Sequence, residues 1–228
     1  MSTGLSPMPR DPGVVAYGSV TPRDPRSHVQ GMVLGVGIVA SAAVDRFGGA
    51  DSKVLRPGTL MARIDATGKW TPVFAAEALS VVAIGSIILY VGAAKVGRFV
   101  AGDNVKVGKP GSHNIITGVE QDMGAILTVY PTSGTIAITT GAISAVAVSD
   151  YVFVEPATAD GSGDAKAVLL EHTVLRDTAG VACEPTAQIV VGGHVRSSVL
   201  LGGNGRAYIT LAGQGVAIPA GVVIVDPQ

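Results

Sequence analysis

The sequence predicts an all-β protein in which a small β-rich domain is interrupted by an inserted small β-barrel or β-sandwich. Two features of the composition support this fold class. Hydrophobic residues make up 47% of the 228 residues but aromatic residues only 4%, so the core must be aliphatic. The 31 glycines and 13 prolines divide the apolar stretches into short segments, a pattern typical of strands joined by turns.

The chain carries few charges. Charged residues make up 14% of the chain and the net charge is -1, whereas an average soluble domain has roughly a quarter charged residues. Lysine and arginine are scattered, which argues against nucleic-acid binding, because that function needs a clustered basic surface. A surface with so few charges is tolerated best where partners cover it.

Residues 1–30 are predicted to form an extended N-terminal arm. The segment is rich in proline, and the tetrapeptide Pro-Arg-Asp-Pro occurs at 9–12 and again at 22–25. Few large apolar side chains are present, so burial cannot offset the entropy lost on ordering. The segment also lacks the basic start and apolar stretch of a secretion signal.

The first strands are predicted between residues 32 and 73. Residues 32–39 form an apolar stretch interrupted by glycine, which indicates one strand or two short ones. Residues 57–64 and 69–73 flank the tight turn Asp65-Ala66-Thr67-Gly68, where Asp and Gly suit the corners. We therefore expect a β-hairpin.

The middle of the chain, residues 74–156, predicts its own small barrel or sandwich. Short apolar segments recur with turn signals every 8–12 residues. The expected strands are two around a Gly-Asp-Asn turn in 99–107, and others at 115–119, 125–129, 135–139 and 151–154.

One apolar run, Ala78 to Ala94, raises membrane association as a less favoured alternative. The run is shorter than the ~18–20 residues that a spanning helix needs. Its glycines and β-branched residues suit buried strands better. Recovery of the protein without detergent would dispose of the membrane hypothesis.

The last third predicts a loop at 157–163, a strand at 167–170 and a turn at 177–180. A strand with a glycine-rich break follows at 188–196, and the apolar, β-branched residues 216–225 are expected to dock into a sheet.

No pattern of catalytic, cofactor-binding or metal-ligating residues emerges, so we predict that the protein is not an enzyme. The aspartates of the two turns at 65–68 and 177–180 lack the Asp-Thr/Ser-Gly form of a paired-aspartate protease. No phosphate-binding loop or Gly-x-Ser-x-Gly elbow is present. The single cysteine, Cys183, excludes an intramolecular disulfide and is expected to be a buried apolar residue. The histidines lack metal-type spacing: His28, His113, His172 and His194.

Several of these segments occur in the order found in one family, and together they resemble the lambda-type head decoration (capsid cement) proteins of phages. The hairpin resembles the "GT-L … ATGKY" pattern of that family, and the later loop resembles its "ADGSG" pattern. The likeness covers roughly half of the chain and is carried by these segments: Pro57–Leu60, Ile64–Trp70, Ala159–Gly163, Ala167–Glu171, Asp177–Gly180 and Ile189–Val195.

The resemblance implies a β-tulip-like decoration domain formed by residues 31–73 and 157–228. About eighty residues separate the hairpin from the "ADGSG" loop, which are nearly adjacent in simple family members. An inserted barrel at 74–156 explains this separation, because surface loops tolerate long insertions at low entropic cost.

The same resemblance implies a virion protein, made in the host cytoplasm, on the outer surface of the expanded head. Its partners would be the major capsid protein and further copies of itself, assembled as homotrimers at three-fold positions to resist internal DNA pressure. No nucleic acid, membrane or cofactor is implied.

In that family the N-terminal arm pairs with a loop of the shell by adding a strand, with affinity carried by main-chain hydrogen bonds. Proline lacks the required N–H donor, so pairing is expected away from the Pro-Arg-Asp-Pro repeats. The capsid-binding candidates are Val14, Val15, Tyr17, Val29, Met32, Val33 and Leu34.

A surface-displayed binding module, for carbohydrate or a host surface, is the alternative function. Sugar sites generally present exposed aromatic side chains, and the chain has only one Trp, five Tyr and four Phe. Glycan binding that depends on an aromatic side chain in 74–154 would support this alternative.

Overall fold

The computed structural model describes residues 33–108, 120–196, 199–202 and 222–225, and their regular secondary structure is almost entirely β. The predicted all-β class is therefore confirmed. The described residues form fourteen strands and one short helix. In chain order they are β1 Val33–Ile38, β2 Val54–Leu55, β3 Leu60–Arg63, β4 Trp70–Pro72, β5 Ala75–Glu77, β6 Ile88–Tyr90, α1 Ala93–Val96, β7 Asn104–Val107, β8 Gln121–Tyr130, β9 Thr135–Ile138, β10 Tyr151–Val154, β11 Ala165–Leu169, β12 Thr173–Val174, β13 Thr186–Arg196 and β14 Val222–Val225.

One six-stranded sheet, here called the base sheet, has the order β1-β13-β11-β3-β4, with β14 added parallel to β13. Strands β3 and β4 form the predicted hairpin. Its turn ends at Gly68, whose N–H donates to the carbonyl of Ile64 at 2.8 Å. The φ angle of Gly68 is 68°, a left-handed value that glycine adopts without strain. The turn chemistry of Asp65 to Gly68 therefore fixes the hairpin.

The second six-stranded sheet consists of residues between 75 and 154 and has the order β5-β10-β7-β8-β9-β6. It curls until its edges meet, because Leu79, just after β5, donates its N–H to Tyr90 of β6 at 2.8 Å. We call this unit the barrel. Its interior is filled by aliphatic side chains such as Leu89, Ile136 and Ile138, together with Phe99.

The barrel packs on the base through the outward side chains of β5 and β10. Tyr151 and Phe153 are buried, and their rings stack with centroids 5.0 Å apart. They share an apolar cluster with Leu60 and Val168 of the base sheet. The outward side of β10 therefore belongs to the hydrophobic core that the barrel shares with the base.

One hydrogen bond, made by a carboxylate of a buried ion pair, and one ionic contact also join the barrel to the base. The buried Lys106 ammonium lies 3.1 Å from the Glu155 carboxylate, which accepts a hydrogen bond from the Gly161 N–H at 3.0 Å. On another side of the junction, Arg46 pairs with Asp103 at 2.5 Å. Directional bonds of this kind fix the orientation of the barrel on the base.

The predicted strand at the start of 99–107 is wrong. Phe99 follows α1 in a turn and donates its N–H to Val96 at 3.0 Å. The ring is 2% exposed and closes the barrel core from this turn. The apolar residues there serve packing without sheet pairing. The strand predicted at 115–119 lies outside the described residues.

The glycine-rich break predicted within 188–196 does not end the strand: β13 runs through Gly192 and Gly193, with a register shift opposite Val33 and Leu34 and a φ of 113° at Gly193. Pairing with β1 on one stretch and with β14 on the next supports the backbone there. Strand β14 confirms the expected docking of the C-terminal apolar segment over Val222–Val225.

Two smaller expectations have different outcomes. Cys183 is only partly buried, so the expected full burial is wrong; it lies beside β12 with Sγ 3.9 Å from the Val174 carbonyl. The apolar run Ala78 to Ala94 folds as β6, turns and the start of α1. Among the described residues, no helix has the length and apolar character to cross a membrane.

Candidate functional site

The structure describes two of the seven predicted capsid-binding residues. Val33 and Leu34 begin β1, with exposed fractions of 43% and 41%. The other five candidates lie outside the described residues: Val14, Val15, Tyr17, Val29 and Met32. The candidate site is therefore built on β1, the strand that directly follows the predicted arm.

Strand β1 lies at one edge of the base sheet, and over 33–38 its recorded pairing in the described chain is with β13 alone. Val39 donates its N–H to Pro185, next to β13, whereas Ala40 donates to Trp70 on the opposite side at 2.8 Å. Donors alternate in direction along a strand. The N–H groups of Val36 and Ile38 therefore point towards the open edge.

The side chains of β1 make this edge apolar. Leu34, Val36 and Ile38 alternate onto one face, and Val36 is 71% exposed. An exposed edge strand with apolar side chains is a template for pairing with another chain. This edge carries none of the charges or prolines that usually block such pairing.

Trp70 closes the base sheet at the end of β1. A parallel bridge joins it to Val39, and its ring lies over Gly37. A Cβ atom at Gly37 would overlap Cδ1 and Nε1 of the indole. Glycine is required at 37 because of this close approach.

A groove of about 350 Å³ lies between β1 and the β3–β4 hairpin. Its floor is apolar, with Ile189 and Val191 of β13 beside Trp70. Arg63 and Lys69 stand at the hairpin side, and Lys69 is paired with Glu184 at 2.6 Å. The groove therefore combines an open strand edge, an aromatic wall and a basic rim.

The two principal segments of the family resemblance lie side by side next to this groove. Asp65, in the hairpin turn, donates its N–H to the carbonyl of Asp160 at 2.8 Å. Gly161 follows with φ 81° and sits against the Arg63 carbonyl, where a Cβ would come within 2.8 Å. Segments separated by the whole barrel in sequence are neighbours in the fold.

Asp65 and Asp177, the aspartates of the two predicted turns, make contacts that stabilise the local structure. Asp177 accepts hydrogen bonds from the N–H groups of Ala179 and Val181 at 2.9 and 2.8 Å. Asp65 lies 3.7 Å from the Lys166 ammonium. Within the described ranges, no group of three or more His, Cys, Asp or Glu residues is placed to hold a metal ion.

One buried titratable group stands out at the junction. Burial, reinforced by the Asp164 carboxylate, raises the pKa of Tyr151 far above its usual value, so the phenol is neutral. Its hydroxyl donates to the Gly163 carbonyl at 3.3 Å. Tyr151 therefore acts as a hydrogen-bond donor that connects the barrel to the base.

Comparison with known proteins adds no family: no family model, curated sequence or solved structure matches the chain. The interpretation of the candidate site therefore depends on the geometry of β1 and the groove beside it. Sequence reasoning missed Val36, Ile38 and the contact of Trp70 with Gly37. The alternation Val-Leu-Gly-Val-Gly-Ile was the available signal, since it places large side chains on one face and glycine on the other.

Proposed function

We propose that this chain is a phage head decoration protein that binds the outside of the expanded capsid, as a homotrimer at three-fold positions. The observation that carries the proposal is the open apolar edge of β1, which follows directly from the N-terminal arm. A shell protein strand added to this edge would gain main-chain hydrogen bonds to Val36 and Ile38. The groove beside Trp70 would receive its side chains.

The arrangement of the resembling segments supports the same proposal. The hairpin turn and the "ADGSG" loop touch through Asp65 and Asp160, and β3 pairs directly with β11. These elements would remain adjacent if the barrel were absent. The fold is therefore compatible with a decoration domain that carries the barrel as an insertion.

Weak contacts are sufficient for this function. Each strand-addition contact is small, but a trimer on a symmetric shell makes three contacts at once. Linked contacts raise the overall avidity by 10²–10⁴ without any new interaction, as an order of magnitude. Stabilisation of the shell against internal pressure then follows from mass action, because the protein binds only the assembled lattice.

The edge can be tested with Val36→Pro, compared with Val36→Thr. Proline removes the N–H that points to the open edge but leaves the β13 side intact, whereas threonine keeps the donor. Co-sedimentation with expanded heads lacking the chain should show at least about tenfold weaker binding for Val36→Pro, the effect of losing about 1.4 kcal/mol per site. Equal binding by the two folded variants would remove β1 from the interface.

The arm is tested separately by deletion of residues 1–30. We expect strongly reduced binding to the same heads with an unchanged unfolding midpoint, because the deleted segment lies outside the predicted core. Unchanged binding after deletion would contradict a role for the arm.

A further inference from the structure

One surface of the barrel is built from strand segments without charged residues. It is formed by β6, β9 and the end of β8, and we call it the outer wall. The two stretches that supply it, 78–94 and 123–149, contain no Asp, Glu, Lys or Arg. The charged residues Asp103 and Lys106 lie instead towards the base, and Lys95 lies in α1, just beyond the first stretch.

The outer wall exposes large apolar side chains. On the strands, Ile88 is 42%, Tyr90 38% and Tyr130 46% exposed. Apolar patches of this size are the largest that ordinary monomers expose, and they often mark interaction sites. Further exposed residues follow in the β8 bulge and the adjoining loops: Leu127, Ile84, Ile87 and Ile143.

The strand register arranges the wall in two rows. Tyr90, Thr135 and Tyr130 lie opposite one another across β6, β9 and β8. In the next row, Ile88 and Thr128 flank Ala137. In both rows, the large residue lies on β6 and the residue opposite it on β9 is smaller.

We infer that the outer wall binds the outer wall of a second copy of this chain. A two-fold contact brings the same surface together, so Ile88 of each copy would pack against the outer wall of its partner near the two-fold axis. A wall without charges is complementary to itself, since no like charges meet and none is left unpaired. A charged partner would lose hydration there without gaining an ion pair.

The available area indicates a weak contact. Full burial of an aliphatic side chain removes on the order of 100 Å² from water, and these side chains are about half exposed. Seven of them, two being tyrosines with larger area, therefore offer roughly 400–500 Å² per copy. This lies below the ~800 Å² of a standard interface and within the range of transient ones.

This contact is separate from capsid binding through β1 and from the proposed trimer. Because the barrel is held on the base by the Arg46–Asp103 pair and by the packing of Tyr151 and Phe153 in the base cluster, a barrel–barrel contact would link neighbouring molecules rigidly. On a shell it would connect one trimer to the next.

The test is sedimentation velocity of the full chain over a concentration series, for the wild type and for Ile88→Lys. A lysine from each copy would meet its counterpart near the two-fold axis, so we expect at least about tenfold weaker self-association, as like charges oppose contact. Val181→Lys is the matched control, because Val181 is 60% exposed on a base turn. It should associate as the wild type does.

The inference is overturned by a wild-type sedimentation coefficient that does not change with concentration, or by equal association of Ile88→Lys and Val181→Lys. It is also overturned if Ile88→Lys leaves association unchanged but abolishes retention on a glycan array or on neutral phospholipid vesicles. Failure of the proposed function gives a different pattern, in which Val36→Pro binds heads as well as Val36→Thr does. Ile88→Lys should still bind heads as single trimers.

Discussion

The base sheet and the barrel solve the problem of sheet edges in opposite ways. In the barrel, the edges meet through the hydrogen bond from Leu79 to Tyr90. In the base sheet, the described edges touch where Val39 and Ala40 meet Trp70. The contact between Leu79 and Tyr90 leaves less main-chain edge open in the barrel, so side chains dominate the surface of its described strands. The base retains a main-chain edge, on β1, for strand addition.

The base and the barrel also differ in where their charged side chains lie. Ionic pairs of the base hold surface turns, as between Lys69 and Glu184. Several charged groups of the barrel face the base, and its outer wall has none. Under the two proposals, the base provides attachment to the shell and the barrel provides side-chain contact with a second copy.

The largest expected effect comes from the apolar junction. Phe153→Ala removes a fully buried ring that stacks on Tyr151 and rests on Gly163. We expect a loss of about 4 kcal/mol in the free energy of unfolding, from lost burial and the cavity left behind. Urea denaturation measures it. A loss under about 1 kcal/mol would show that barrel and base do not share a core.

The second-largest loss of stability is expected at the buried ion pair of Lys106 and Glu155. Lys106→Met leaves the Glu155 carboxylate buried without its ammonium partner, which costs about 3 kcal/mol. The double variant Lys106→Met/Glu155→Gln removes the unpaired charge and should recover part of that loss, as urea denaturation would show. If the double variant is less stable than the single one by the full additive amount, the two groups are not coupled.

Next comes the contact of Gly37 with Trp70 in the base. Gly37→Ala places a methyl group against the indole and should cost about 2 kcal/mol by overpacking. Gly35→Ala is the matched control on the same strand, since its Cβ would lie 3.5 Å from Ile189, an ordinary contact. Thermal unfolding of the pair compares them. Similar midpoints would mean that Trp70 does not lie over Gly37.

The smallest effect is at Tyr151. Tyr151→Phe loses the hydrogen bond to Gly163 and should cost about 1 kcal/mol near neutral pH. Because burial raises the folded-state pKa above the unfolded value of about 10, the stability linked to this group is present below pH 10 and is lost as the pH rises further. Urea denaturation at about pH 9 and about pH 11 should therefore show a smaller alkaline loss for Tyr151→Phe than for the wild type. Equal losses would place Tyr151 outside the core.

The sequence was informative where local chemistry determines structure. The hairpin at Asp65 to Gly68 was predictable because the turn needs a left-handed glycine. Strand β10 was predictable as an apolar run between turns. Phe99 was misassigned because an apolar residue in a turn and one in a strand look alike when both are buried.

The site depends on long-range placement, and the sequence contains less of that information. The family resemblance, together with the exclusion of proline, pointed to Val33 and Leu34 as capsid-binding candidates, but their place on an edge strand needed the structure. The contact between Trp70 and Gly37 joins residues on strands that are not paired along their length, and no local pattern predicts it. The uncharged wall was visible as two charge-free stretches, but the register of β6, β9 and β8 was needed to show a single surface.

The most direct test of the proposed function is the copy number of this chain in purified particles from its source, measured by quantitative mass spectrometry against the major shell protein. A protein that covers the lattice at three-fold positions should be present near parity with the shell protein. A few copies per particle, or none, would contradict decoration and would leave the edge of β1 to another partner.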